Sequence, residues 1–345
     1  MSEDAKKLDS QPDSVARSGA APKQDWREQV RLAFREPGPL LSFLGLDATG
    51  EMLRPASSFP MLVPRAFAKR MVRGDRNDPL LLQTLPDPDE TSIQAGFGSD
   101  PVGDLDSRSA PAILHKYHGR ALLMTTGACA VHCRYCFRQH FPYAGETANG
   151  QRWAQALRYL AEHDEIQEII LSGGDPLMLP TRRLRDLTRE LQGLQHLRRL
   201  RIHTRLPLIL PDRVTDDLLH WLRRLPWPVV MVVHANHPQE FDADVDRALS
   251  RLKTAGVQLL NQAVLLRGIN DSTSTLRSLM ERGFAGGVLP YYLHQLDRVA
   301  GSARFEVSEA RAKQLVARLR EQLSGYLVPR LVTEQPGQPY KLPLL

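Results

Sequence analysis

The three cysteines of this chain lie in one short run, Cys129-Ala-Val-His-Cys133-Arg-Tyr-Cys136, spaced Cys-x3-Cys-x2-Cys. Thiolates are soft ligands that suit iron–sulfur clusters and zinc. An odd count in a single cluster makes a poor disulfide framework and points to a metal or a redox thiol in a reducing compartment. A closed structural zinc site needs four ligands, so zinc would have to recruit His132 or His140. Three cysteines can instead bind three irons of a cubane and leave the fourth iron open to an amine and a carboxylate. Plain buried thiols are the remaining reading.

Further polar groups recur at regular points along the chain. Ser172-Gly173-Gly174-Asp175-Pro176 is a turn in which the glycines let backbone approach a ligand and Asp175 can meet an ammonium. Such turns are common, so alone it says little. His203-Thr204-Arg205, His234-Ala-Asn236-His237 and Asn261-Gln262 follow. Taken singly, each reads as a satisfied structural group; taken together they form a series. Arg138, two residues past the last cysteine, can bind a carboxylate through both arms of its guanidinium. The chain ends as a strand, a Pro336-Gly337 turn and Lys341, a residue that composition alone would not select.

The elements that must carry these groups are legible as periodicity. Apolar β-prone runs at 121–126, 168–172, 200–204, 229–233, 257–265 and 287–292 alternate with helical stretches at 151–163, 182–191, 215–225, 242–255 and 273–282. That alternation implies a parallel sheet buried on both faces. Six βα units predict an open, partial barrel, an α/β fold with its site at the C-terminal ends of the strands. Every motif above falls at such an end. Before the barrel, 25–110 is expected to be a mostly helical elaboration, with one helix over 26–36 ended by Pro37-Gly38-Pro39 and a short one near 64–73. The barrel core is expected over 111–325 and a C-terminal segment over 326–345, while 1–24 reads as a disordered tail.

Bulk properties bound the function. Hydrophobic residues make up 42% and charged residues 24%, as in ordinary globular proteins. No run approaches the ~18 apolar residues of a membrane span, and the polar N-terminus lacks the apolar centre of a secretory signal. A cytoplasmic protein without a membrane role is the expectation. The net charge is +6, with Arg and His dense over 182–224. Solvated helix faces explain that density; a polyanion such as RNA is the sharper alternative, but no RNA-binding motif accompanies it.

The cysteine run, with Tyr135 before and Phe137 after its last cysteine, resembles the signature loop of the radical S-adenosylmethionine (SAM) superfamily. The resemblance implies a [4Fe–4S] cluster on Cys129, Cys133 and Cys136 that reductively splits SAM into methionine and a 5′-deoxyadenosyl radical. Ser172, Gly173, Gly174 and Asp175 resemble the motif that holds the SAM amino group, with His234 and Gln262 as further SAM contacts. From about Phe59 to Leu345 the chain is similar to the lysine 2,3-aminomutase family, closest to its short bacterial, elongation factor P-associated branch. That family adds pyridoxal 5′-phosphate (PLP) on a lysine after a Pro-Gly turn, matched here by Lys341. Gln338, Pro339 and Tyr340 stand where the family has glycines. Lys116 and Arg120, in the segment His115-Lys116-Tyr117 to Arg120, resemble the family's phosphate-binding residues. Arg138 matches the residue for the substrate carboxylate, and Asp297 and Glu334 match the acids for the distal ammonium, the family having Asp at the second. The fold implied is a partial (β/α)6 radical SAM barrel with an N-terminal helical elaboration and a C-terminal PLP-binding segment. The activity implied is movement of the α-amino group of L-lysine to its β-carbon, giving (R)-β-lysine for elongation factor P. The partners implied are a reductant such as flavodoxin or ferredoxin, elongation factor P and its lysyl ligase. No zinc and a monomer are expected. The alternatives are another radical SAM aminomutase, PLP-free or acting on a different amino acid, and a non-catalytic basic metal-binding protein associated with RNA.

Overall fold

The structure, a computed structural model, describes residues 25–47, 59–148 and 150–345. The segment read as a tail, 1–24, lies outside the described residues. Ten strands form one sheet in chain order: β1 (Arg108–Ala110), β2 (Ile113–Tyr117), β3 (Arg120–Thr126), β4 (Glu168–Gly173), β5 (Arg199–Thr204), β6 (Val229–Val233), β7 (Gln258–Val264), β8 (Leu289–His294), β9 (Arg330–Thr333) and β10 (Leu342–Pro343). Strands β3 to β9 run parallel, each beside the next. Antiparallel pairs extend both edges, β1 and β2 before β3 and β10 after β9.

The six expected strands are present as β3 to β8. β4 is buried along its whole length, as its Ile-Ile-Leu run requires of a strand covered on both faces. Three of the helices between strands begin where a side chain caps them. Thr215, Asp242 and Ser272 accept from the backbone N–H of Leu218, Val245 and Thr275, each satisfying a donor that the first turn leaves unpaired. Leu184, Leu218, Leu249 and Leu276 project from successive helices into the same core as Leu171, Ile202, Met231 and Leu293 of the sheet.

Several expectations change. The helix read over 26–36 ends early, at Arg31, and the Pro37-Gly38-Pro39 read as its terminator opens a second helix, Pro37–Phe43. Pro37 starts the second because its missing N–H would have had no helical partner at that position. The helix near 64–73 is only Arg65–Ala68. His115, Lys116 and Tyr117 belong to β2, hairpinned onto β3, so a strand precedes the one read as first. The parallel run has a seventh member, because helix Glu309–Gln322 leads back to β9 beside β8. The arginines of 182–224 do not all reach solvent: Arg201 grips Glu168, while Arg205 and Arg213 are buried in the interior. No helix among the described residues is long and apolar enough to cross a membrane.

Candidate functional site

At the C-terminal edge of the parallel strands lies a cavity of about 520 Å³, lined by residues from the cysteine loop, β2 to β5, β7 and β8, His234 just past β6, and the chain's end. Its wall holds Cys129, Cys133 and Cys136, and also Lys116, Arg120, Arg138, His234, Gln262, Asp297, Glu334 and Lys341. The three cysteines and the residues that the resemblance assigns to cofactors and substrate therefore meet in one place, whereas His140, Asn236, His237 and Asn261 do not line it.

The cysteine loop leaves β3 and is pinned from the N-terminal side. His132 N–H donates to Leu62 O and Arg134 N–H to Gln83 O. The Arg134 side chain is fully buried on Glu90 and reaches the carbonyls of Phe59 and Pro60. His132 and His140, the possible fourth ligands for zinc, face the carbonyl oxygens of Pro60 and Ala300. Burial pushes the Cys129 thiol well above its ordinary range and the Cys136 thiol up to about 11. Such thiols ionise when a cation takes the place of the proton.

The turn after β4 serves the loop. Gly173 has a φ of 124°, and a Cβ there would lie 2.3 Å from Thr126 O. A Cβ on Gly174 would lie 2.4 Å from Ala128 O. The glycines thus let two stretches of backbone touch, and both also line the cavity. Asp175 lines the cavity too. Its carboxylate accepts from the Thr204 hydroxyl and from the N–H groups of Leu177, Arg205 and Leu206. It ties the end of β4 to the end of β5 through four protein donors.

A chain of alternating charges crosses the cavity. Ser172 Oγ accepts from Arg138 Nη1 at 3.2 Å, and Arg138 Nε donates to Asp104 at 2.6 Å. Asp104 meets Lys116 Nζ at 2.6 Å; Lys116 reaches Glu334 at 3.0 Å, and Glu334 also accepts from Lys341 Nζ. Burial works to raise Asp104, but Arg138 and Lys116 outweigh it and hold the carboxyl below its usual range. Glu334 is likewise held well below its usual range, where Lys341 and Lys116 overcome burial. Asp297 lacks so close a partner, and burial pushes it up to about 7 against the opposing charge of Lys341. Arg120 lies over the Tyr117 ring at 4.6 Å. Sequence reasoning missed Asp104, which is buried but comes from a stretch crowded with acids.

Elsewhere the wall is polar but unsatisfied. His203 Nε2, His234 Nε2, Gln262 Oε1 and both ring nitrogens of His294 are buried without a hydrogen-bond partner. Burial keeps the three imidazoles neutral, lowering His234 to about 3 and the other two well below their ordinary value. Orphaned buried groups are rare in native structures, and several around one cavity mark the place of a polar ligand.

Residues 123–279 match the radical SAM superfamily. The chain is 45% identical to the L-lysine 2,3-aminomutase of Escherichia coli over 93% of this chain and 95% of that protein. It is 42% identical to that of Haemophilus influenzae over 92% and 95%. To the L-lysine 2,3-aminomutase of Clostridium subterminale it is 31% identical, over 93% of this chain and 78% of that longer protein. The chain belongs to the radical SAM lysine 2,3-aminomutase family. Membership implies a [4Fe–4S] cluster, SAM and PLP, and the cavity fits them. Three thiols on one loop can serve a cluster, the unpaired His234 just past β6 and Gln262 on β7 suit a polar nucleoside-bearing ligand, and an amine in the same cavity as Arg120 and Lys116 suits an aldehyde that carries phosphate.

Proposed function

We propose that this chain is an L-lysine 2,3-aminomutase that forms (R)-β-lysine. The observation that carries the reading is Lys341. Its amine sits in the same cavity as the three thiols, within reach of Glu334 and in the field of Asp297. When bound, the cluster and SAM supply a carbon-centred radical, and PLP supplies a carbonyl for an amine to join.

The chain's own residues would divide the remaining work. Cys129, Cys133 and Cys136 would hold the cluster, Lys341 the PLP carbonyl, and Lys116 with Arg120 its phosphate. Ser172, Gly173, Gly174, His234 and Gln262 would surround SAM, with Asp175 bracing the turn. Arg138 retains guanidinium donors beyond those directed at Asp104 and Ser172, and these would take the substrate carboxylate. Asp297 and Glu334 would receive the distal ammonium and so select lysine over neutral or acidic amino acids. Glu334 Oε2 is held by Lys341 in this arrangement, so engaging Lys341 elsewhere would free that oxygen for a second ammonium.

Likeness to the short bacterial branch supports supply of the product to elongation factor P through a lysyl ligase, with flavodoxin or ferredoxin as reductant. The test is anaerobic reconstitution with iron, sulfide, PLP, SAM, dithionite and L-lysine, followed by chiral product analysis. (R)-β-lysine is the expected product. A fully loaded cluster that yields no β-lysine rejects the substrate assignment.

A further inference from the structure

Arg205 has no part in the functional reading above, yet its guanidinium reaches a sulfur of the cysteine loop. It sits at the end of β5, 7% exposed, and its Nη1 donates to Cys133 Sγ at 2.8 Å. Its other arm is braced at both sides. Nη2 donates to Glu240 at 2.8 Å and to Gln83 Oε1 at 2.7 Å. Glu240 is itself fully buried and fixed by the Asn236 and His237 N–H groups. Asn236 and Tyr135 close the network on the same Gln83 oxygen. The guanidinium is thus held in one orientation by residues from three separate parts of the chain.

A hydrogen bond to a cluster's thiolate and a fixed positive charge beside it both draw electron density from sulfur. They favour the more negative, reduced state over the oxidised one, and such contacts set reduction potential alongside burial. Glu240 acts in the opposite sense, because its charge offsets part of that field. We propose that Arg205 is a positioning residue that holds the Cys133 thiolate and raises the cluster's reduction potential, with Glu240 trimming the effect. The inference rests on the cluster reading of the loop. Arg205 is a poor candidate for a surface anion site, since both arms are already directed at Cys133, Glu240 and Gln83.

The test is a redox titration of the reconstituted full chain, following the reduced cluster by electron paramagnetic resonance, with iron and sulfide counted on each sample. Arg205→Met removes the charge and the donor, so its midpoint moves negative. At fixed potential the reduced-to-oxidised ratio falls at least tenfold, which is about 59 mV for one electron. Glu240→Gln keeps the shape and an acceptor oxygen but removes the offsetting charge, so its midpoint moves positive. Should Arg205→Met fail to take up a cluster, Glu240→Gln decides alone. An unchanged or more negative midpoint in Glu240→Gln, or an unchanged midpoint in a loaded Arg205→Met, overturns the inference. Wild-type protein that binds no cluster instead overturns the family reading of the loop, which separates the two failures.

Discussion

Lysine binding through the range pH 6 to 8 is where Asp297 should reveal itself. Burial pushes this carboxyl up to about 7, Lys341 pulls it down, and Glu334 adds to the rise. With that value, roughly nine-tenths of the sites are ionised at pH 8 and about one-tenth at pH 6. If the distal ammonium requires the carboxylate, KM for L-lysine rises about tenfold between pH 8 and pH 6, equivalent to ~1.4 kcal/mol. Asp297→Asn removes the titration and a charge-assisted hydrogen bond worth ~1.5–3 kcal/mol. Its KM is therefore raised at least about tenfold at pH 8 and stays flat down to pH 6. The assay is initial-rate β-lysine formation by the loaded enzyme across lysine concentrations at pH 6, 7 and 8, with kcat followed separately. Stability gives an independent check on the sign. The folded value exceeds the unfolded one, so the group's contribution is fully present below about pH 4 and is lost as pH rises through about 7. Asp297→Asn abolishes that loss. A wild-type KM that is level from pH 8 to pH 6, together with wild-type affinity in Asp297→Asn, refutes the reasoning.

Four further outcomes follow from the geometry. Cys133→Ala is expected to lose the cluster, and Lys341→Ala to lose the PLP absorbance while keeping its iron; visible spectra and iron assays read both. Gly174→Ala forces a Cβ to within 2.4 Å of Ala128 O. Backbone must then move, at a cost of about 1–3 kcal/mol, and iron content should fall with the melting temperature. Glu90→Ala leaves the Arg134 guanidinium, which is 0% exposed, without its carboxylate. Denaturant unfolding is expected to show about 3–5 kcal/mol of lost stability.

The cysteine loop was open to reading because ligand spacing is a local property, and three thiols within a single turn region need no tertiary information. Strands β3 to β8 were equally legible, since short apolar runs broken by capped helices carry their own period. Pairing beyond that series was not. β9 follows a helix whose charged composition hid its buried stripe of Leu315, Val316 and Leu319. β10 is only Leu342–Pro343, and its pairing with β9 positions Lys341 beside Glu334. Arg201, Arg205 and Arg213 looked like the rest of a basic stretch, yet Glu168, Glu240 and the carbonyls of Leu177 and Leu179 draw them inward. Asp104 carried no signal among its acidic neighbours, although it joins Arg138 to Lys116. The sequence by itself determined the residue types, the ligand spacing and the repeating βα order. Tertiary structure decided which charges are buried, which partners neutralise them and what each glycine must avoid, because burial and ion pairing depend on residues far apart in the chain.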